Sequence, residues 1–455
     1  VTETNTIVVG GGISGLVCTY ALRKAGVDAV AVEASARSGG VIRSERRDGF
    51  LLELGPQSFS GTADLRKLCA ELGIAEQMLE APAGAPRFVL MDGKLVAVPM
   101  SPPALLTSSL LGGRTKWNIA HDALWRSQAP EEDESIAGFV RRKFGAELLD
   151  RLVGPFVSGV YAGDPERLSL RSAFPQLYEA EKSSGSVIRG MLRAAKSRTG
   201  PRERSTLLSF REGNETLVRA LAAKIGSGLR MNAEVTRIAT ARPGTAGKFE
   251  VRVRGGGGEE TLVVERLVMA TPTDVAGRLL SEVNAELGRL FSEIEYAPVA
   301  VVSLGYRRAD VGHSLDGFGF LAPRSSGLRV LGTVWNSSLF SGRAPEGFVL
   351  LTSFVGGATD PGAATLSNEA LAALVHGEIR DLLQVNGAPA FSNVQIYRRA
   401  LPQYNLGHAA RLAAIEKLRS ATGDLYFVGN YLRGPAIGSC VEQAVAVAAA
   451  IHPVT

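Results

Sequence analysis

Three glycines spaced to receive a phosphate are the first residues whose pattern implies chemistry. Ile7-Val8-Val9 runs into Gly10-Gly11-Gly12-Ile13-Ser14-Gly15, and an apolar stretch continues to Ala25. Gly10 permits the tight turn, Gly12 lets a pyrophosphate approach the backbone, and Gly15 lets a helix pack close to the strand. The phosphates then sit at the amino end of that helix, around Ile13 and Ser14, where free N–H groups and the dipole favour anions. A second strand, Ala29-Val30-Ala31-Val32, ends on Glu33, placed to accept a hydrogen bond from a ribose hydroxyl. In a chain with 52 glycines the spacing alone has little weight. Strand, helix, second strand and terminal acid in register predict a dinucleotide site. A glycine-rich turn that binds nothing is the alternative, and it leaves Glu33 without a role.

Composition narrows the class. At 455 residues the chain exceeds one ordinary core, so two or three domains are expected. With 45% hydrophobic and 21% charged residues it reads as folded and soluble. The net charge of +5 is scattered without a basic run, which argues against a nucleic-acid partner. Cys18, Cys69 and Cys440 lie far apart and the five histidines show no ligand spacing, which argues against a disulfide framework and against a metal site. No stretch approaches the ~20 continuous apolar residues of a membrane helix. The first strand begins too early for a signal peptide, so a cytoplasmic location is expected.

The elements that must position the dinucleotide follow from patterning. Arg37-Ser38-Gly39-Gly40-Val41 either brings backbone against a flat cofactor, with Arg37 or Arg43 neutralising phosphate, or is a solvated loop. Phe50-Leu51-Leu52-Glu53-Leu54-Gly55-Pro56 reads as a strand stopping at a turn. Residues 64–80 suggest a helix interrupted at Gly73, and Arg87 to Pro99 a hairpin turning at Asp92-Gly93. From Ser101 to Arg198 the pattern is mostly helical, with Asp133-Glu134-Ser135 as caps. Met100 to Gly113 is apolar and precedes Arg114, Lys116 and Trp117; a bilayer-surface contact and an ordinary buried helix are both open there. Gly154 to Pro165 reads as a turn-rich linker leading to a capped helix start. Phe210 to Leu217 opens a helix to Ile225, Leu229 to Thr240 reads as one strand, and 249–264 as a hairpin. From Val299 to Phe354 successive strands predict an antiparallel sheet with one face free to wall a pocket. A helix follows from about Asn368 to Leu383, then a strand Val394–Arg398. Leu425 to Asn430 and Gly434 to Ile451 form a second strand–glycine–helix unit, whose helix amino end favours negative charge on a reduced ring.

The glycine triplet, Glu33, Arg37-x-Gly39-Gly40 and Glu53-x-Gly55-Pro56 occur in the order found in the amine oxidase-like flavoproteins, which hold FAD extended. Within that superfamily the chain resembles the protoporphyrinogen oxidases. The resemblance rests on Gly154-Pro155-Phe156-Val157-Ser158-Gly159-Val160-Tyr161-Ala162-Gly163-Asp164-Pro165, continuing to Pro175, on Arg87-Phe88, and on Pro402-Gln403-Tyr404-Asn405-Leu406-Gly407-His408. It implies FAD contacts at Gly10, Gly12, Ile13, Ser14, Gly15, Glu33, Ala34, Arg37, Gly39, Gly40, Val41, Gly55, Pro56, Val235, Ala270, Gly429, Asn430, Gly438, Ser439 and Val441. Many relatives carry glycine at Asn214 and aspartate at Asn430, so the polar contact at Asn430 is expected to be uncharged. By the same similarity Arg87 pairs with a propionate, Leu321, Val334 and Phe354 sandwich the macrocycle, and Gly159 lies near the reacting bridge. Read without the resemblance, Arg87 is a surface arginine and the three apolar residues are core.

The fold class implied is α/β mixed with α+β: a Rossmann-like FAD-binding domain, a mixed, largely antiparallel substrate domain and a helical insert. The expected division is 1–86, 205–295 and 395–455 for FAD, 87–100 and 296–394 for substrate, and 101–204 for the insert. The expected reaction is FAD-dependent oxidation of protoporphyrinogen IX, with hydride leaving a meso carbon and dioxygen reoxidising the flavin. The pocket set offers no general base. Coproporphyrinogen III is the nearest rival substrate. An amine oxidase or desaturase, which lacks reason to carry the Gly159–Pro175 block, and a non-enzymatic escort-type protein are further ones. The implied partners are the porphyrinogen and dioxygen; contact with the cytoplasmic face of a membrane and a homodimer are further expectations.

Overall fold

The computed structural model describes residues 5–99, 102–127, 129–197, 206–245 and 247–451. Its first sheet is parallel and five-stranded, in the order Leu229–Arg230, Ala29–Val32, Thr6–Val9, Arg266–Met269, Leu425–Phe427. We call Thr6–Val9 β1, the helix Ile13–Lys24 α1 and Ala29–Val32 β2. All four residues of β1 are buried, as a β-branched run at the centre of a covered parallel sheet must be. Val8 faces the side where α1 packs with Leu16, Val17 and Leu22, while Ile7 and Val9 face the other side. That second side is closed by the antiparallel strands Glu234–Thr240, Phe249–Gly255 and Gly258–Val264 and by the helices Thr273–Leu280 and Ala285–Ser292.

A seven-stranded sheet has the order Phe391–Pro402, Tyr296–Arg307, Phe348–Gly356, Val330–Val334, Gly319–Leu321, Arg87–Met91, Lys94–Ala97. It is antiparallel except where Arg87–Met91 runs parallel to Gly319–Leu321. The 87–97 hairpin turns at Asp92 and Gly93, φ 48° and 74°, as the sequence predicts. One sheet face is sealed by Tyr306, Phe320, Trp335 and the helix Asn368–Arg380. The strand Phe391–Pro402 stays paired with Tyr296–Arg307 as far as Pro402, so it runs through the expected boundary at 394/395.

A helical region packs against the 87–97 end of the seven-stranded sheet. The Ser135 hydroxyl caps Ile136–Lys143 by accepting from Gly138 N–H at 3.0 Å, which meets the expectation of a cap there. The sequence places a turn-rich linker at 154–165; the structure instead forms a helix, α2, over Gly154–Tyr161, preceded by a π-helical turn at Leu149–Val153. Proline tolerates the first turn of a helix, and Val157 and Tyr161 bury into a core of Leu110, Leu111, Phe139 and Leu168. Packing overrides the low helix propensity of Gly154 and Gly159. The helix stops at Ala162, φ 47°.

Two further expectations change. The single strand predicted over 229–240 breaks at Asn232, φ 51°, into Leu229–Arg230 and Glu234–Thr240, which join different sheets. The helix expected to end at Gly73 and resume briefly spans Ala63–Glu71 with a 3₁₀ turn at Ala75–Gln77, but Met78–Glu80 is a strand paired with Leu207–Phe210.

Candidate functional site

The turn between β1 and α1 is built as a phosphate cradle. Gly10 has φ 112°, and a Cβ there would come within 2.7 Å of the Ala270 carbonyl oxygen. A Cβ on Gly15 would stand 1.9 Å from the Gly10 oxygen, so these two glycines serve close packing within the chain. Gly12 differs: a Cβ there would meet nothing within 4 Å, leaving open space beside the backbone. The amino end of α1 has neither a side-chain cap nor an acid in its first turn, so the N–H groups of Ile13, Ser14 and Gly15 remain available to an anion. The described residues therefore fit a dinucleotide pyrophosphate.

Glu33 ends β2 beneath this turn. Its carboxylate accepts from Gly11 N–H at 2.7 Å and from the Ser35 N–H and hydroxyl at 2.9 and 2.7 Å; Ala34 beside it is exposed. Gly39 N–H donates to the Gly11 carbonyl at 2.7 Å, and Gly39 and Gly40 take φ 104° and 59°, which brings the loop against the glycine turn. Arg37 donates to the carbonyls of Ser38 and Ile42 at 2.9 and 3.0 Å and to that of Gly40. Its guanidinium braces this loop rather than standing free for a phosphate, and Arg43 lies 3.4 Å from Glu45. Val41 is 44% exposed, an apolar side chain uncovered at the edge of the cradle. Val235 packs with Val9 and Val32 at the ends of the parallel strands.

Behind Gly55 and Pro56 lies a buried polar network that sequence reading did not find. The Arg343 guanidinium meets the Glu53 carboxylate at 3.1 Å, the two side chains being 1% and 2% exposed. Glu53 also accepts from the Ser44 hydroxyl at 2.6 Å and from Asn214 N–H at 2.9 Å. The Asn214 amide donates to the Pro56 carbonyl at 2.7 Å, and Asn336 donates to Gln57 at 2.7 Å. Burial pushes the Glu53 carboxyl up to about 7 against the opposing pull of Arg343, Ser44 and Asn214. No local signal marks Arg343, because its partner stands 290 residues away.

The far end of the cradle comes from the last strand and the helix Ile437–Ile451, α3. Gly429 is buried; Asn430 is half-buried, and its side-chain amide has no partner among the described residues. The Tyr404 hydroxyl donates to the Asn430 carbonyl and accepts from Gly434 N–H at 2.7 Å. Gln403 donates to the Tyr161 carbonyl at 3.0 Å, so the Pro402–His408 segment fastens α2 to the turn that carries Asn430. Gly438 lies against Thr62, and Ser439 is half-buried at the start of α3. Val441 departs from expectation: its side chain is wholly buried with Leu16 and Val17, past the first turn of α3.

The other candidates converge on the open face of the seven-stranded sheet. Leu321 pairs with Gly332, which pairs with Phe354, and Val334 pairs with Gly319. Cross-strand partners share a face, so Leu321, Val334 and Phe354 project together. All three are half-buried, whereas their neighbours Phe320, Ala322, Thr333, Trp335, Ser353 and Val355 are buried on the opposite side. A Cβ on Gly159 of α2 would stand 2.5 Å from Leu321 Cδ2, so glycine sets the gap between helix and sheet. Arg87, paired with Gly319, is exposed at the rim with its guanidinium 5.3 Å from the Phe318 ring and has no carboxylate partner among the described residues. Of these five residues only Arg87 is ionisable, so they can orient an apolar anion but supply no proton acceptor; Tyr397 packs beside Phe354 on the same face.

The apolar 100–113 stretch turns inward at Leu110 and Leu111, which are 1% and 2% exposed, while Met100 and Ser101 lie outside the described residues. The exposed apolar side chains come one helix later: Trp117, Leu124 and Trp125, at 59%, 63% and 50%. Among the described residues no helix is long and apolar enough to cross a membrane.

Comparison with known proteins gives the family and the fold. The family described as flavin containing amine oxidoreductase matches residues 13–452. The chain is 33% identical to a chloroplastic protoporphyrinogen oxidase of Nicotiana tabacum, the match covering 99% of this chain and 85% of that one. It is 28% identical to a coproporphyrinogen III oxidase of Bacillus subtilis (strain 168), over 97% of this chain and 96% of the other. A solved structure from Exiguobacterium sp. 255-15 shares the fold with a TM-score of 0.81 at 24% identity, covering 99% of each chain.

Proposed function

Because the chain belongs to the flavin containing amine oxidoreductase family, we propose that it is an FAD-dependent oxidase converting protoporphyrinogen IX to protoporphyrin IX. One observation carries this reading: an apolar, half-open sheet face opposed by Gly159, with the unpaired cation Arg87 at its rim. A porphyrinogen is a flexible, largely apolar macrocycle whose charge sits on peripheral propionates, and that face matches it. FAD would be held by Gly10, Gly12, Ile13, Ser14 and Gly15 at the pyrophosphate, by Glu33, Ala34 and Val235 at the adenosine end, and by Gly39, Gly40, Val41, Gly55, Pro56, Ala270, Gly429, Asn430, Gly438 and Ser439 along the rest. Bound FAD supplies the two-electron acceptor for hydride removal from a meso carbon, with dioxygen as final oxidant and hydrogen peroxide as by-product.

The chain's own contribution is orientation and exclusion of water. Arg87 anchors a propionate, Leu321, Val334 and Phe354 wall one side of the macrocycle, and Gly159 admits its edge. None of these five side chains accepts a proton, so pyrrole N–H protons leave to solvent as the macrocycle tautomerises. The oxidation repeats, so the macrocycle turns or rearranges between rounds.

Anaerobic mixing of the holoenzyme with each porphyrinogen, following loss of oxidised-flavin absorbance, tests the proposal. Faster bleaching by protoporphyrinogen IX supports it. Faster bleaching by coproporphyrinogen III moves the chain to that substrate, a reading favoured by its similarity to the Bacillus subtilis enzyme. No bleaching by either, with FAD bound, refutes both.

We read residues 1–86, 205–295 and 403–455 as the FAD-binding unit, 87–100 and 296–402 as the substrate unit and 101–204 as the insert, the boundary moving from 394/395 because Phe391–Pro402 stays paired in the seven-stranded sheet. The exposed Trp117, Leu124 and Trp125 support peripheral contact of the insert with the cytoplasmic face of a membrane, since tryptophan favours the interfacial region. Binding to liposomes that survives a triple serine substitution there would refute it. We also propose a homodimer, to be checked by light scattering.

A further inference from the structure

The edge strand Phe391–Pro402 gives the apolar substrate face a polar margin. Asn393, Gln395 and Tyr397 alternate along it with Val394 and Ile396, and residues two apart in a strand share a face. Val394 and Ile396 pack into the sealed side of the sheet, so the three polar residues project to the open side. The register agrees: Gln395 pairs with Val301, whose other partner is Phe354, and Tyr397 pairs with Val299. The Tyr397 ring packs into the cluster formed by Val299, Val301 and Phe354.

This margin meets the cofactor cradle. Arg47 donates to the Asn393 side-chain oxygen at 2.9 Å, which lays the strand Ser44–Arg47 beside the edge strand. Arg43 stands four residues before Arg47, and Tyr397 four residues after Asn393. Each separation is about 13 Å of extended chain. An antiparallel course past one another brings Arg43 and Tyr397 level, and the charges of Arg37 and Arg43 do act on the phenol. Tyr397 therefore stands where the open face reaches the Arg37–Arg43 loop, which carries Gly39, Gly40 and Val41.

Its hydroxyl is uncommitted. Tyr161, Tyr306 and Tyr404 each hold their hydroxyls against a partner within the chain. The half-buried Tyr397 has no hydrogen-bond partner among the described residues, yet its oxygen is not sealed off. Burial keeps the phenol above the usual tyrosine value, with Arg37 and Arg43 pulling the other way. It is therefore protonated at neutral pH and able to donate. The pyrrole nitrogens of a porphyrinogen carry protons of their own and want acceptors. A flavin ring presents nitrogens and carbonyl oxygens, which accept, and which become richer in electrons on reduction.

We propose that the Tyr397 hydroxyl donates a hydrogen bond to the edge of the flavin ring where ring and substrate face meet, favouring the reduced form. A hydrogen bond that strengthens as its acceptor gains charge does this without transferring a proton. The inference rests on the FAD reading given above and adds to it a residue that sets how readily the cofactor takes electrons.

The test compares Tyr397→Phe with wild type as holoenzymes. Tyr306→Phe is the control, because Tyr306 lies on the sealed side with its hydroxyl 2.9 Å from His376 Nδ1. The readouts are the oxidised-flavin spectrum, the midpoint potential against a reference dye, and anaerobic flavin reduction by protoporphyrinogen IX. Tyr397→Phe should retain FAD, shift the spectrum and disfavour reduction about tenfold, which is about 30 mV for two electrons. Flavin reduction should slow with KM unchanged, and Tyr306→Phe should match wild type. An unmoved potential and spectrum overturn the proposal. So does a raised KM at unchanged potential, which gives the phenol to the substrate instead. Wild-type flavin that porphyrinogen reduces, with an unmoved potential in Tyr397→Phe, leaves the oxidase reading standing and removes only this one; a wild-type chain that takes up no FAD overturns both.

Discussion

Replacing Arg343 by methionine removes one half of a buried ion pair and leaves Glu53 2% exposed with only the Ser44 hydroxyl and the Asn214 N–H as donors. An uncompensated buried charge of this kind costs about 3–5 kcal/mol. Glu53 can escape that cost by taking a proton, so the penalty depends on pH. In the intact chain its carboxyl is raised from 4.5 to about 7 by burial. A raised value in the folded state contributes stability that is complete below the solvated pKa and is lost as pH rises through the folded one. For this shift the contribution is about 3 kcal/mol across that window. Without Arg343 the folded value climbs further, and protonation persists to higher pH. Arg343→Met should therefore lose about 1–2 kcal/mol near pH 5.5, mainly from broken hydrogen bonds, and about 2–3 kcal/mol near pH 8, because protonation caps the added ionisation cost at about 1.4 kcal/mol for the one pH unit above 7. Adding Glu53→Gln should recover most of the loss near pH 8. The assay is denaturant unfolding of the holoenzyme at both pH values, followed by tryptophan fluorescence and flavin release. Equal losses at the two pH values, or no recovery in the double variant, would sink this account.

Gly12→Ala should fold with normal circular dichroism yet lose bound flavin, because its Cβ meets only the space assigned to the pyrophosphate; Gly15→Ala should perturb the fold itself, its Cβ standing 1.9 Å from a backbone oxygen. Flavin retention in Gly12→Ala would remove the phosphate from that position. Gly159→Val should abolish flavin reduction by porphyrinogen while sparing flavin content, since even a Cβ stands 2.5 Å from Leu321; near-normal turnover refutes the placement. Arg87→Ala should raise KM by about tenfold or more with little change in kcat, as expected for lost carboxylate binding. An unchanged KM takes Arg87 out of the site.

The sequence makes the cradle legible because its chemistry is local. Gly10, Gly12, Gly15 and Glu33 lie within one strand–helix–strand unit, and short-range spacing is what a sequence displays. Alternation from Val299 onward likewise reveals strands whose faces differ. Other features depend on pairing at a distance. Arg343 is an unremarkable residue in a Ser-Gly-Arg turn until the fold brings it to Glu53. The helix α2 was hidden because glycine and proline suggest turns, whereas burial of Val157 and Tyr161 decides the matter. The split at Asn232 needs a left-handed residue between two sheets, which periodicity does not encode. The convergence of Gly159 with Leu321 came from family resemblance alone, since nothing in their spacing relates them.

The parallel pairing of Arg87–Met91 with Gly319–Leu321 has a consequence for how the protein comes into being. On the ribosome the hairpin at 87–97 emerges long before the strands that complete its sheet. It must wait as an isolated two-stranded ribbon, a form marginally stable in water. Such wide separation in sequence slows folding, because loop closure is required before any contact rewards it. The parallel dinucleotide sheet has the same difficulty, since Leu425–Phe427 is among its last strands to be made. Flavin supply during synthesis thus becomes a determinant of yield: ligand that binds only the finished cradle draws the late-closing chain toward the native state by mass action. Cells short of riboflavin should accumulate this polypeptide as protease-sensitive, aggregation-prone chains rather than as intact apoprotein.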